Sequence, residues 1–326
     1  MGSIRLRSVL RLAALAAVVS MVLFAMGCGS SGSSSPSSAS PSASAAGIDG
    51  ASITADPSLN AMLPAGVKSS GVLRVASALP YPPWEYYDPA TSKNFAGFDF
   101  DLSQAIGAKL GVKALFVDTP FDSIILSVKG GKNDMIMADM YDNPDREKVL
   151  TFVDYAYDGT SILVLKGNPN GITNLDSLSG KTVTCLRGST QQVLLESLNK
   201  TFSSSGKQQM KILSLPGSPD ALLAVIGGKA AALLTDHSQA AYIAKSTSAG
   251  NTYEVLADPA APNGYEPAIV GIGMSKANPQ LVTAVQKALQ ALIDEGSYQK
   301  IIDKYGLLPV KSALTDQAGV SASPAP

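Results

Sequence analysis

The chain has 326 residues, of which 45% are hydrophobic and 16% charged, a length and balance that build a full core and commonly divide it into two lobes. Its 25 Lys and Arg against 26 Asp and Glu leave a formal charge of −1, and removing residues 1–27 with Arg5, Arg7 and Arg11 leaves 22 against 26, or −4. Binding to nucleic acid or anionic lipid through a positive surface is thereby excluded.

Those three arginines precede an almost wholly apolar run from Leu12 to Met26. The run is shorter than the ~20 residues that cross a bilayer and fits the core of a signal peptide ending at residue 27. Phe24-Ala25-Met26-Gly27-Cys28 resembles the bacterial lipobox, with Ala25 in place of the usual Leu. Cys28 is therefore expected to carry lipid and become the new N-terminus. Residues 29–47 contain only Gly, Ser, Ala and Pro, which gives them nothing to bury. As a flexible coil this stretch spans roughly 25 Å, and the tether is expected to continue to residue 66. Cys185, the other cysteine, sits in an apolar run and reads as a small buried hydrophobe, so the mature chain has no internal disulfide.

From Gly71 onward short apolar runs alternate with amphipathic ones, which predicts an α/β fold with mostly parallel strands. Strands are predicted over 73–76, 114–118, 135–139, 161–165, 182–186, 212–215, 231–236 and 269–274. A helix is predicted over 101–110, and another carries Leu281, Val285, Leu289 and Leu292 on one face. An internal echo links 130–139 with 227–236: each reads Gly-Gly-Lys, apolar strand, terminal acid, after segments with Asp122 and Asp220 near their starts. Two explanations fit, a common βαβ ending or a pair of duplicated lobes. In the second, Asp139 and Asp236 mark equivalent carboxyl ends of strands, where ligands bind in open α/β sheets.

Several residues along this frame carry chemistry. Asn143-Pro144-Asp145-Arg146-Glu147 opens a helix, with Asn as N-cap and Pro in the first position. Arg146 there opposes the helix dipole by up to about 1 kcal/mol and requires an anion. Either a surface pair with Asp142 or Glu147 supplies it, or a ligand carboxylate held bidentately does. Gly188-Ser189-Thr190 lies between a strand ending at Leu186 and a helix, so its N–H groups suit a carboxylate; a simple cap by Ser189 or Thr190 explains the same residues. Asp236 with Gln239 fits a capping box, or else faces a cleft and holds an ammonium. His237, the single histidine, reads as exposed, and no His or Cys cluster offers a transition-metal site. The aromatic loop 81–87, with Trp84 as the single tryptophan, packs on the sheet or lends walls to a pocket.

In order, Gly71-Val72-Leu73-Arg74-Val75, Tyr81-Pro82-Pro83-Trp84-Glu85, Gly97-Phe98-Asp99-Phe100-Asp101-Leu102, Pro120-Phe121-Asp122, Asp142-Asn143-Pro144-Asp145-Arg146 and Gly188-Ser189-Thr190 resemble the family 3 solute-binding proteins of polar amino-acid ABC transporters, over about residues 70–307. The resemblance implies a two-lobed fold of the type II periplasmic-binding-protein kind. Its first lobe would combine 67–159 with 263–312 and its second would be 160–262, with hinge crossings near 157–161 and 258–265 and a disordered tail at 313–326. It implies that Arg146, helped by Thr190, binds a ligand α-carboxylate and that Asp236 holds the α-ammonium. Tyr81 and Phe121 would flank the ligand side chain, with Ala138, Asp139, Tyr141 and Leu186 along the walls. Three departures reshape that pocket: Ala78 replaces a frequent Asp, Asp139 a usual Gly or Ser, and Tyr141 a usual Ser or Thr. Asp139 either restores the lost carboxylate, favouring a polar or cationic side chain, or points into solvent.

The implied protein is a monomeric lipoprotein on the outer face of the cytoplasmic membrane, without cofactor or metal, that delivers an amino acid to an ABC permease and catalyses nothing. Two other functions share the fold: a cyclohexadienyl dehydratase-like enzyme with Asp139 as general acid, and a sensory ligand-binding domain.

Overall fold

The computed structural model describes residues 53–318. The expected signal peptide, Cys28, the Gly/Ser/Ala/Pro tether through residue 52 and the last eight residues of the tail lie outside the described residues. Leu59, Leu63 and Val67 are buried at four-residue spacing, which draws two short helices onto the body of the fold. The first, α1 (Pro57–Ala61), is capped by Asp56; the second, α2 (Ala65–Ser70), ends at Gly71 in the left-handed conformation. The tether expected through residue 66 is thus too long, because these three apolar side chains have a core to join.

The first half continues with β1 (Val72–Ser77), the ribbon β2 (Tyr86–Tyr87) and β3 (Phe95–Ala96), α3 (Phe98–Lys109), β4 (Lys113–Asp118), α4 (Phe121–Lys129) and β5 (Met135–Ile136). β1 lies between β4 and β5, parallel to both. Before α3, Gly97 takes φ +117, and a Cβ there would stand 2.3 Å from the Trp84 carbonyl oxygen. Gly97→Ala is expected to cost about 1–3 kcal/mol from backbone strain alone. A shift of the urea midpoint checks it, and an unchanged midpoint would contradict the close approach.

After α5 (Pro144–Glu147), β6 (Leu150–Leu165) leads into the second half, which is built from β7 (Thr182–Leu186), α6 (Thr190–Ser204), β8 (Lys211–Leu215), α7 (Ser218–Ile226), β9 (Ala232–Asp236), α8 (His237–Ser246) and β10 (Tyr253–Val255). β7 lies between β8 and β9, again parallel to both. Each half is therefore strand, helix, strand, helix, strand, with the first strand in the middle, and the two echoing segments close the third strand of their respective halves. The echo therefore falls at matching places in two halves of like topology.

β11 (Tyr265–Ser275) returns antiparallel to β6, giving the order β4-β1-β5-β11-β6-β9-β7-β8 with β10 on β6. Pairing is parallel within each half and antiparallel through the two long strands that join them. α9 (Pro279–Asp294) then packs on the first half with Leu281, Val285, Leu289 and Leu292 fully buried, followed by α10 (Ser297–Tyr305), which the sequence reading missed. Separate apolar clusters fill the first half and the second. β5 stops at Ile136, short of the expected Asp139, which itself takes φ +44, outside the extended region.

The tail is ordered through Ala318, against the expectation of disorder from residue 313. β11 covers one side of β6; on the other, Tyr157 N donates to the Leu308 carbonyl, Asp154 N to the Leu314 carbonyl and Phe152 N to Asp316 Oδ1. Those donors would otherwise be buried without partners. Among the described residues no helix is long and apolar enough to cross a membrane.

Candidate functional site

A tight, largely enclosed cavity lies between the halves, lined by Ala78, Tyr81, Glu85, Phe121, Ala138, Asp139, Tyr141, Arg146, Leu186, Ser189, Thr190, Gln191 and Asp236. All nine residues singled out from the sequence are present in it. Glu85, Ser189 and Gln191 were missed; Ser189 and Gln191 are the neighbours of Thr190 at the start of α6, and Glu85 lies in the aromatic loop, where side-chain direction has no periodic signature.

Arg146 reaches the cavity because Asn143 caps α5 through Arg146 N, at 2.9 Å, and Pro144 fixes the first turn. The side chain is only 8% exposed. Its guanidinium donates to the Tyr141 carbonyl at 2.8 Å and the Gly188 carbonyl at 3.3 Å, and its plane lies 5.6 Å from the Phe121 ring centroid. Among the described residues no carboxylate forms an ion pair with it, so the surface-pair reading with Asp142 or Glu147 is set aside. Burial lowers its pKa to about 10, against the pull of Asp236 foremost among the nearby charges. A buried guanidinium with donors to spare and no ion pair among the described residues has the chemistry to receive an anion.

Asp236 ends β9 at the start of α8, yet its side chain does not cap that helix. Its oxygens accept from the Tyr81 hydroxyl and, at 2.7 Å, from Gln191 Nε2. The cap comes from across the sheet, where Asp158 accepts from Ser238 N at 3.3 Å. Asp236 is therefore free of the helix and turned to the cleft. Ser189 caps α6 through Gln192 N at 3.2 Å, which meets the capping reading of this loop, and Thr190 lines the cavity beside it.

Asp139 is 5% exposed, sits at φ +44, and neither carboxylate oxygen has a hydrogen-bond partner. Its amide donates to Asp99 Oδ2 at 3.0 Å, and Asp99 Oδ1 accepts from the Tyr155 hydroxyl at 2.7 Å, which holds this strained residue in place. The side chain does not point into solvent. Oxygens of Asp139, Asp158 and Asp236 lie within 4.8 Å of one another. Burial first, then the Asp236, Asp158, Asp99 and Glu85 charges, push the Asp139 pKa well above the usual range. Glu85 is raised in the same way, chiefly by burial and Asp99, and burial lifts both Asp99 and Asp158 to about 7.

Trp84 is fully buried, donates to Ser238 Oγ at 2.7 Å and packs edge-on against Phe98 and Tyr155. It belongs to the core and not to the cavity wall. His237 is half-buried, against the expected exposure: Nδ1 meets Ser161 Oγ at 2.8 Å, and burial lowers its pKa. It follows Asp236 directly at the start of α8, and that junction turns its ring onto β6.

Residues 73–307 match the family described as bacterial extracellular solute-binding proteins, family 3. The lysine/arginine/ornithine-binding periplasmic protein of Escherichia coli K12 is 31% identical over 224 residues, covering 67% of this chain and 84% of its own. An ancestral arginine-binding protein solved with arginine has a TM-score of 0.63 at 31% identity, over 72% of this chain and 98% of its own. An ancestral amino-acid-binding protein described as a precursor of cyclohexadienyl dehydratase has a TM-score of 0.63 at 30% identity, over 74% and 97%. With the two pseudo-equivalent halves, the paired long strands and the charged cleft between them, these likenesses settle the lineage: the chain belongs to the family 3 bacterial extracellular solute-binding proteins.

Proposed function

We propose that this protein is an extracytoplasmic receptor for a basic amino acid, arginine or lysine foremost, which it hands to an ABC permease while a lipid on Cys28 keeps it at the membrane. Arg146, with Thr190 and the N-terminus of α6, takes the α-carboxylate. Asp236, held by Tyr81 and Gln191, takes the α-ammonium. Phe121 and Leu186 bound the aliphatic stem, and Asp139 meets the distal cation. The lobes, 67–159 with 263–312 and 160–262, move about the β6 and β11 crossings and close on the ligand.

The observation that carries this reading is the charge inside the cleft. Glu85, Asp139 and Asp236 share the cavity with a single guanidinium, Asp99 and Asp158 are buried beside Asp139, and Asp139 keeps two oxygens without partners. A zwitterion neutralises Arg146 and Asp236 and leaves Asp139 unanswered; a ligand with a cationic side chain answers it. Relatives named for binding lysine, arginine and ornithine support the same class.

Calorimetric titration with arginine, lysine, glutamine, histidine and glutamate tests it. Arginine or lysine is expected to bind tightest, and Asp139→Asn to reduce the preference for arginine over glutamine by at least about tenfold, the fold equivalent of 1.4 kcal/mol. Glutamine binding as tightly as arginine would overturn the cationic assignment. A response confined to sugars or polyamines would overturn the amino-acid reading itself. An acid raised by burial beside a dehydratase-precursor likeness is the one feature that favours an enzyme, so arogenate and prephenate are the discriminating substrates. Both are expected to remain unconverted.

A further inference from the structure

A second group of acids lies outside the cleft, where the C-terminal segment crosses β6. Asp142, Glu147 and Asp316 bring carboxylate oxygens within 4.8 Å of one another. Asp154 stands with them. It is fully buried, neither of its oxygens has a hydrogen-bond partner, and Asp142, Asp316 and Glu147 are the charges that act on it. Asp142 is only 4% exposed, and its Oδ1 also lacks a partner. Gly271 on β11 leaves the space this requires: a Cβ there would lie 3.1 Å from Asp154 Oδ1. Among the described residues no ion pair reaches any of the four.

Backbone amides fix one oxygen each of Asp142, Glu147 and Asp316. Gln317 N donates to Asp142 Oδ2 at 2.8 Å, Ala318 N to Glu147 Oε1 at 2.9 Å and Phe152 N to Asp316 Oδ1 at 2.8 Å. Carboxylates at this spacing repel unless protons or a cation come between them, and an unpaired buried carboxylate is strongly unfavourable. The donors are all hard oxygens, drawn from three chain segments, and the group is open on one side because Asp316 is exposed and Glu147 half-exposed. Such a set suits Ca2+, which accepts six to eight oxygens in irregular geometry and completes its shell with water.

We propose that Asp142, Glu147 and Asp316, with Asp154 behind them, form a Ca2+ site that clips residues 313–318 onto β6. Asp142 and Glu147 flank Arg146 along the chain, so the same ion would brace the short helix that presents the cleft guanidinium. The site was not visible in the sequence because its acids are scattered over 142, 147, 154 and 316, with none of the spacing of a loop motif.

The test uses the full chain, stripped with EDTA and titrated with CaCl2 by calorimetry, with melting curves alongside and NaCl at matched ionic strength as control. One-site binding is expected in the roughly 10⁻⁴–10⁻³ M range of extracellular calcium modules, with a rise in melting temperature that NaCl does not reproduce. Asp316→Asn, an exposed change that leaves the core intact, is expected to weaken Ca2+ binding at least about tenfold, while Asp145→Asn on the outer face of α5 leaves it unchanged. Absence of heat and of any melting shift at about 10 mM Ca2+, an equal response in Asp316→Asn, or an equal shift from NaCl would each overturn the site. Stabilisation on acidification with none from Ca2+ would show instead that shared protons hold the cluster.

Discussion

Replacing Arg146 by alanine is expected to weaken amino-acid binding by about 2–5 kcal/mol, or about 30- to 5,000-fold, while the fold survives. The guanidinium has five N–H donors, and the Tyr141 and Gly188 carbonyls use two directions of its fork. Among the described residues the rest have no carboxylate ion pair, and Phe121 covers one face. A ligand carboxylate entering this enclosed cleft loses its water; without Arg146 it would be buried and unpaired. The empty protein stands to gain from the same change, because a guanidinium driven down to about 10 by burial is itself destabilising. Loss of binding with an unchanged or raised melting temperature is therefore the expected pair of results. Arg146→Lys keeps the charge and loses the planar fork, so it should recover only part of the affinity. Calorimetry with arginine measures both, and an alanine variant that binds within about threefold of the parent would remove Arg146 from the site.

What could be read from the sequence follows the range of the interactions involved. The strand 182–186 and the buried face of α9 were legible because local periodicity reports burial directly. The long β6 was read only at its end, 161–165, because a strand buried on both faces shows no alternation to mark where it begins. The helix α1 and the ordered tail were missed because their stability is tertiary: Leu59 has a core to enter, and Asp316 has an amide of β6 to accept from. For the site, Arg146 and Asp236 stood out because each conflicted with its local setting, a cation in the first turn and an acid with two possible duties. The structure resolves the second by giving the cap of α8 to Asp158. Gln191 and Glu85 raised no conflict of that kind, and only the closeness of the two halves brings them to the cavity.

The melting temperature of the ligand-free protein is expected to fall as the pH rises from about 4 to about 7, and the stabilisation by arginine to grow over the same interval. Asp99 and Asp158 are held at about 7 by burial, against an ordinary value near 4, and Asp139, Asp236 and Glu85 are raised in the same direction. Between the unfolded and folded values these carboxyls are protonated in the native chain and ionised in the unfolded one. The native state then binds more protons, so stability is complete below about pH 4 and is lost as the pH passes through about 7. At about 1.4 kcal/mol per unit, Asp99 and Asp158 by themselves would contribute at most about 8 kcal/mol, and water entering the cleft reduces their share to a few. The outer acids Asp142, raised to about 7, and Asp154, raised to about 8, act with the same sign when EDTA is present. A cationic ligand reverses the balance in the cleft, because it pairs with the ionised carboxylates and expels their protons. Calorimetry at pH 6 in two buffers of different ionisation enthalpy should therefore record net proton release on arginine binding. A melting temperature that is flat or rising across this range, with no protons released, would mean that the cleft acids are already ionised and answered by the protein itself, leaving no electrostatic demand for a second positive charge on the ligand.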